Sequence, residues 1–215
     1  MILQKEREML VEYGKKLVET GLTSGSFGNL SLYNPDEKLM AITPSGMDYF
    51  IIKPEDIVVL NLDGEKVDGD RKPSSEYHMH RIFYQKRKDI TAVVHTHSTF
   101  ATTLACLQWT IEPLHYLVGY AGTEVPCTPY VKFGTYELGE VALNTMGDRY
   151  AVLLGNHGLL TCGQDLPYAF DVAQQIEFAA ELYYRAKAVG EPVLLKDEQI
   201  NEVLEAFKTY AVRNK

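Results

Sequence analysis

Apolar positions recur at helical spacing near both ends of the chain and at strand spacing in between. Leu3, Met9, Leu10, Tyr13, Leu17 and Val18 form a stripe that predicts a helix over residues 2–20, stopped by Gly21. The clearest helix is predicted over 167–188, with Pro167 at its start and Ile176, Ala179, Ala180 and Tyr183 on one face. A last short helix follows over Asp197–Tyr210, then a polar tail. Between them lie strand-like runs: Leu30–Tyr33, residues 39–42, Ile57–Leu62 closed by a hairpin signal at Asp63-Gly64, and the apolar run from Ala92. Ala151–Gly158 reads as one strand running into a turn. Pro73-Ser74-Ser75 marks a helix start, a helix follows Ser98, and another is expected near 136–146. Residues 111–118 read as a buried segment, 125–130 as extended and Asp68–Lys72 as polar. With no repeat, low-complexity tract or linker, a single domain over 1–215 is expected.

Candidate chemistry sits where these runs end. Val93-Val94-His95-Thr96-His97 closes an apolar strand with two histidines. Strand side chains alternate faces, so His95 and His97 point the same way and make a bidentate metal clamp. His157 ends another strand, and Glu76 lies in the first turn of a predicted helix, where a carboxylate ordinarily serves the helix dipole. His80 shares a helix face with Glu76 and is expected as a supporting or core histidine, His78 as an exposed one. His95, His97, His157 and Glu76 together make an N₃O set suited to Zn²⁺ or another divalent ion such as Mn²⁺. Three Ser/Gly loops, at 26–29, 45–46 and 74–75, can present N–H and O–H donors to a phosphate without a Walker motif. A metal beside a phosphate site suggests Lewis-acid chemistry on a phosphorylated sugar.

Composition narrows the partners. A formal net charge of −8 argues against a nucleic-acid ligand. No apolar run is long enough for a membrane helix, and the charged start MILQKEREML is not a secretory signal. Cys106, Cys127 and Cys162 are odd in number and far apart, without a CxxC pair, and read as reduced cytoplasmic thiols.

The motifs GSFGN, TPSG, KPSSE, VVHTH, LHYLV, VPCTPY-x-x-FGT, NHGLL and FKTY follow one another across essentially the whole chain. In this order the sequence resembles the class II, metal-dependent L-fuculose-1-phosphate aldolases, whose superfamily includes L-ribulose-5-phosphate 4-epimerase and the adducin head. The resemblance implies a three-layer α/β/α fold with a central, mostly antiparallel sheet, in a homotetramer with sites at subunit interfaces. It implies His95, His97 and His157 as zinc ligands, with Glu76 as fourth ligand and acid/base. Gly28, Asn29, Ser45, Gly46, Ser74 and Ser75 take the phosphate. Tyr116 and Tyr210 match tyrosines at the aldehyde end, Tyr210 reaching a neighbouring subunit. The implied reaction cleaves a ketose 1-phosphate, L-fuculose 1-phosphate or a 5-deoxypentulose 1-phosphate, to dihydroxyacetone phosphate and a short aldehyde. The chain departs from the family's Thr-x-Gly-Asn loop at Ser26-Phe27-Gly28-Asn29, where Phe27 narrows the site. Rival readings on the same scaffold are a 4-epimerase, which would want an acidic residue near His115-Tyr116, and a sugar-phosphate dehydratase. A non-catalytic adducin-like assembly module would be expected to lose the ligands.

Overall fold

In the computed structural model, residues 1–213 are described, with side chains through Phe207. Helix α1 spans Gln4–Glu19, followed by strands β1 (Asn29–Asn34), β2 (Leu39–Ile42), β3 (Val58–Asn61) and β4 (Lys66–Asp68). Then come α2 (Tyr77–Lys86), β5 (Ala92–Thr96), α3 (Thr99–Leu107), α4 (Tyr136–Met146), β6 (Ala151–Leu154), β7 (Gly158–Gly163), α5 (Leu166–Val189) and α6 (Asp197–Arg213). The strands form one seven-stranded sheet in the order β4-β3-β2-β1-β5-β7-β6, and every neighbouring pair is antiparallel.

Alternation along the strands builds a core on each face. Leu30, Leu32, Ala92, Val94 and Leu159 point toward Leu10 and Leu17 of α1, Ala101 and Leu104 of α3 and Ile176 of α5. Met40, Val58, Val93, Val152 and Leu160 point the other way, toward Met79 and Phe83 of α2 and Leu138 and Met146 of α4. The expected three-layer α/β/α architecture is therefore the observed one. Burying both faces is why the central strands carry apolar residues at consecutive positions.

Four local expectations change. The run through Gly158 is not one strand: it turns at Gly155–His157 and returns as β7, buried along its whole length. Apolar residues on both sides of the turn hid the boundary. Lys66–Asp68, short and polar, pairs with β3 as an edge strand. Helix α2 begins at Tyr77, later than Pro73-Ser74-Ser75 suggested, and Glu76 occupies its N-cap position. The 111–118 segment is only partly buried; it enters a 3₁₀ turn over Tyr116–Tyr120, and Tyr116 is 50% exposed.

Candidate metal and phosphate site

The site gathers at the end of β5, where the register of three strands sets the neighbours. Asn29 of β1 lies opposite His95 of β5, and His95 lies opposite Leu160 of β7. Paired residues share a face, so Asn29 and His95 both project toward α2. His97, one residue beyond the strand, keeps its ring beside His95 with centroids 4.8 Å apart. His157, in the β6–β7 turn, sits 4.8 Å from His95 and 5.2 Å from His97 by the same measure. The three histidines bring one ring nitrogen each within 4.8 Å of one another.

Two glycines make this approach possible. A Cβ at Gly158 would lie 2.4 Å from the Thr96 carbonyl and 3.0 Å from the His97 ring. A Cβ at Gly28 would lie 2.7 Å from the His95 carbonyl, and Gly28 adopts φ +71°, which glycine tolerates. Tyr49 Oη–H donates to the Gly28 carbonyl at 2.8 Å and ties this loop down.

The donor set fits a divalent cation. His95 Nδ1 lies 2.9 Å from the Leu159 carbonyl. A neutral imidazole that donates there leaves its Nε2 lone pair toward the cluster, the usual tautomer of a metal-binding histidine. That nitrogen is 3.0 Å from His97 Nε2. Burial, chiefly, lowers the pKa of all three rings, with mutual repulsion adding to it at His95 and His97, which favours neutral rings with a lone pair available to a cation. The buried Glu76 carboxylate flanks it, Oε2 at 3.3 Å from His95 Nε2 and Oε1 at 3.4 Å from His157 Nε2. Among the described residues, Glu76 Oε1 has no hydrogen-bond partner. A buried carboxylate oxygen left unpaired among imidazole nitrogens is what a cation would complete.

From there a cavity of about 450 Å³ opens along the Ser/Gly loops, and Gly28, Asn29, Ser45, Gly46, Ser74, Ser75, Glu76, His97 and His157 line it. The loops are laced together. Ser45 N–H donates to the Lys72 carbonyl at 2.9 Å and Ser74 N–H to the Thr43 carbonyl at 3.1 Å. Glu76 N–H reaches Ser74 Oγ at 3.3 Å, which leaves the Ser74 hydroxyl proton to donate elsewhere. Ser45, Gly46 and Ser75 are exposed. Phe27, Tyr130 and Phe133 supply an apolar rim, all three more than half exposed, with Phe27 stacked on His97 at 5.8 Å.

A family model, Class II Aldolase and Adducin N-terminal domain, matches residues 8–184. The chain belongs to that family. It is 50% identical over 210 residues to the 5-deoxy-D-ribulose 1-phosphate aldolase of Bacillus thuringiensis, covering 98% of this chain and 99% of that protein. It is 37% identical over 211 residues to the L-fuculose phosphate aldolase of Escherichia coli, covering 97% of each. A solved structure of an L-fuculose 1-phosphate aldolase superposes with a TM-score of 0.93 at 48% identity, covering 95% of this chain and 96% of that one.

Within this class II aldolase chain, the predicted metal and phosphate positions gather around one cavity, with His95 buried behind its wall beside His97 and His157, and Tyr116 stands apart from it. Tyr116 is not among the lining residues and stands beside His115 and Phe207. The side chain of Tyr210 lies outside the described residues. His78 is half-buried against Tyr77, not exposed. Sequence reasoning missed Gly158 and Asn156, the latter lining the cavity at φ +53°. It also placed Asn29 on the phosphate alone, whereas the Asn29 amide donates to Glu76 Oε2 at 2.9 Å. The packing of α2 and its N-cap against β1 that brings them together has no signature in either stretch by itself.

Proposed function

We propose that this protein is a divalent-metal-dependent aldolase that cleaves a ketose 1-phosphate reversibly to dihydroxyacetone phosphate and a short aldehyde. The observation that carries the reading is the juxtaposition of three clustered imidazoles and a carboxylate with one unpartnered oxygen at one end of a cavity whose loops are rich in N–H and O–H donors. The names of the relatives point to 5-deoxyribulose 1-phosphate or L-fuculose 1-phosphate as the substrate. The metal is Zn²⁺ or a similar divalent ion, held by His95, His97 and His157 with Glu76 beside them. The ion supplies Lewis-acid stabilisation of negative charge on substrate oxygens.

The chain's own residues do the rest. Asn29, Ser45, Ser74, Ser75 and the backbone at Gly28 and Gly46 receive the phosphate. Glu76, whose Oε1 has no hydrogen-bond partner among the described residues, carries the proton to and from the carbon that becomes C3 of dihydroxyacetone phosphate. Residues 1–215 act as one domain in a homotetramer, with sites at the subunit interfaces and Tyr116 and Tyr210 serving the aldehyde end of a neighbour's site. The half-exposed Tyr116 side chain is free to do so. Among the described residues no helix is long and apolar enough to cross a membrane, and a cytoplasmic enzyme fits the three free thiols.

The test is an aldolase assay of the purified, metal-loaded protein against a panel of ketose 1-phosphates, with a chelator-treated sample alongside. Cleavage of a 5-deoxy or 6-deoxy ketose 1-phosphate, lost on chelation and restored by Zn²⁺ or Mn²⁺, is expected. No cleavage of any member by metal-loaded protein sinks the reading.

A further inference from the structure

The buried polar side chains on the α2 face form a line. Ser31 points away from the core that Leu30 and Leu32 enter, toward α2, and pairs across the sheet with Val93. Tyr84 Oη lies 2.6 Å from Ser31 Oγ, Ser31 Oγ lies 2.7 Å from His80 Nδ1, and His80 Nε2 lies 2.5 Å from Asn29 Oδ1. Asn29 Nδ2 then reaches Glu76 Oε2 at 2.9 Å. Ser31 and His80 are fully buried, and Asn29, Tyr84 and Glu76 nearly so.

We propose that Tyr84, Ser31 and His80 form a directed hydrogen-bond chain that positions the Asn29 amide and, through it, the Glu76 carboxylate. The inference rests on the aldolase reading, in which Glu76 moves the proton. The direction follows from valence. An ionised carboxylate only accepts, so Asn29 turns its NH₂ to Glu76 and its Oδ1 to His80. His80 Nε2 must therefore carry the hydrogen. Complete burial pushes the His80 pKa down to about 3, so the ring is neutral and Nδ1 holds the lone pair. Ser31 Oγ–H donates to Nδ1, and Tyr84 Oη–H donates to Ser31 Oγ, with the Ser31 carbonyl at 3.0 Å as its other acceptor.

The consequence lies at the carboxylate. Asn29 holds Oε2, while Oε1, 3.4 Å from His157 Nε2, has no hydrogen-bond partner among the described residues, so the chain selects which oxygen is free to exchange a proton. A flipped amide would set Oδ1 lone pairs against the carboxylate, and His80 Nε2–H opposes that flip. Asn29 keeps one amide hydrogen for the cavity, so Glu76 and the substrate share a donor group that His80 orients. His80, Ser31 and Tyr84 are positioning residues and touch no reacting atom.

The test uses full-length, metal-loaded protein and three readouts. In wild-type protein, histidine ring ¹⁵N NMR is expected to show His80 with a protonated Nε2 and a bare Nδ1; the opposite tautomer overturns the proposal whatever the activity. In His80→Leu, kcat and the exchange of the dihydroxyacetone phosphate C3 proton with deuterium are expected to fall about tenfold, the scale of one lost hydrogen bond. KM should move less than kcat, metal content should stay at the wild-type value, and His80→Gln should restore most of the rate. Wild-type exchange in His80→Leu, or a raised KM with unchanged kcat, overturns the proposal. Should His80→Leu fail to fold, Ser31→Ala is read in the same way, since it removes the donor that fixes the tautomer and barely changes volume. A wild-type enzyme that neither cleaves nor exchanges would remove the aldolase reading and leave the tautomer measurement standing.

Discussion

The two ends of the cavity are built on opposite principles. At one end, His95, Glu76 and Asn29 are buried, and strand register and partners already on the chain set their polar atoms. At the other, Ser45, Gly46 and Ser75 are exposed on loops held mainly by backbone hydrogen bonds. The difference follows from what each end would receive. Imidazole nitrogens must stay neutral to bind a cation, and burial keeps them so. A phosphate arrives heavily hydrated and needs donors that water can reach and leave. The buried end is therefore rigid and sensitive to single changes, and the exposed end spreads its binding over many small contributions.

The largest expected effect tests the buried end. His95→Ala should abolish stoichiometric Zn²⁺ in elemental analysis and with it all cleavage; retained metal would remove His95 from the ligand set. Glu76→Gln comes next and separates holding the metal from moving the proton. With metal at saturation it should keep the ion through the three histidines yet lose cleavage by roughly 10²–10⁴-fold, the usual scale of lost acid–base catalysis. It should also lose deuterium exchange at C3 of dihydroxyacetone phosphate, followed by NMR. Exchange at the wild-type rate would move the base elsewhere, Tyr116 and Tyr210 being the next candidates.

The exposed end should respond more mildly. Ser75→Ala should raise KM for a ketose 1-phosphate by an amount worth roughly 1–3 kcal/mol, the range for a hydrogen bond to a charged group, with kcat nearly unchanged. An unchanged KM would take Ser75 out of the phosphate site and leave Ser45 and Ser74 to carry it.

The effect least tied to catalysis is on stability against pH in the metal-free protein. His80 has a folded pKa of about 3, below the ordinary histidine value of 6.5, and the three cluster histidines are shifted in the same direction. A depressed folded pKa means that the unfolded chain binds more protons below pH 6.5, so stability is full above that pH and declines as pH falls toward 3. The slope from His80 approaches about 1.4 kcal/mol per pH unit. Thermal melting of metal-free protein at pH 7.5, 6.5 and 5.5 should show little change over the first step and a drop over the second. A flat profile to pH 5.5 would show that His80 is not buried neutral.

Much of the chain could be read from short stretches. The stripe from Leu3 to Val18 predicted α1, alternation at Leu30–Tyr33 predicted β1, and Pro167 with Ile176, Ala179, Ala180 and Tyr183 predicted α5. The type of chemistry was legible too, because strand periodicity puts His95 and His97 on one side and donor chemistry depends only on residue identity. Periodicity was silent where apolar residues run through a turn, as at β6 and β7, and where a strand is short and polar, as at β4.

Only the tertiary structure decided how Asn29, Ser31, Glu76, His80 and His95 meet. Their meeting depends on the register of β1 against β5 and on the packing of α2 over that pair. Register is set by the apolar pattern of the whole sheet, since a one-residue slip would turn Leu30 and Leu32 out of one core and Asn29 and Ser31 into it. A sequence can therefore declare its helices, strands and ligand types locally. Which oxygen of Glu76 is tethered and which is free is decided by hydrogen-bonded partners up to 53 positions apart, once folding has brought them within reach.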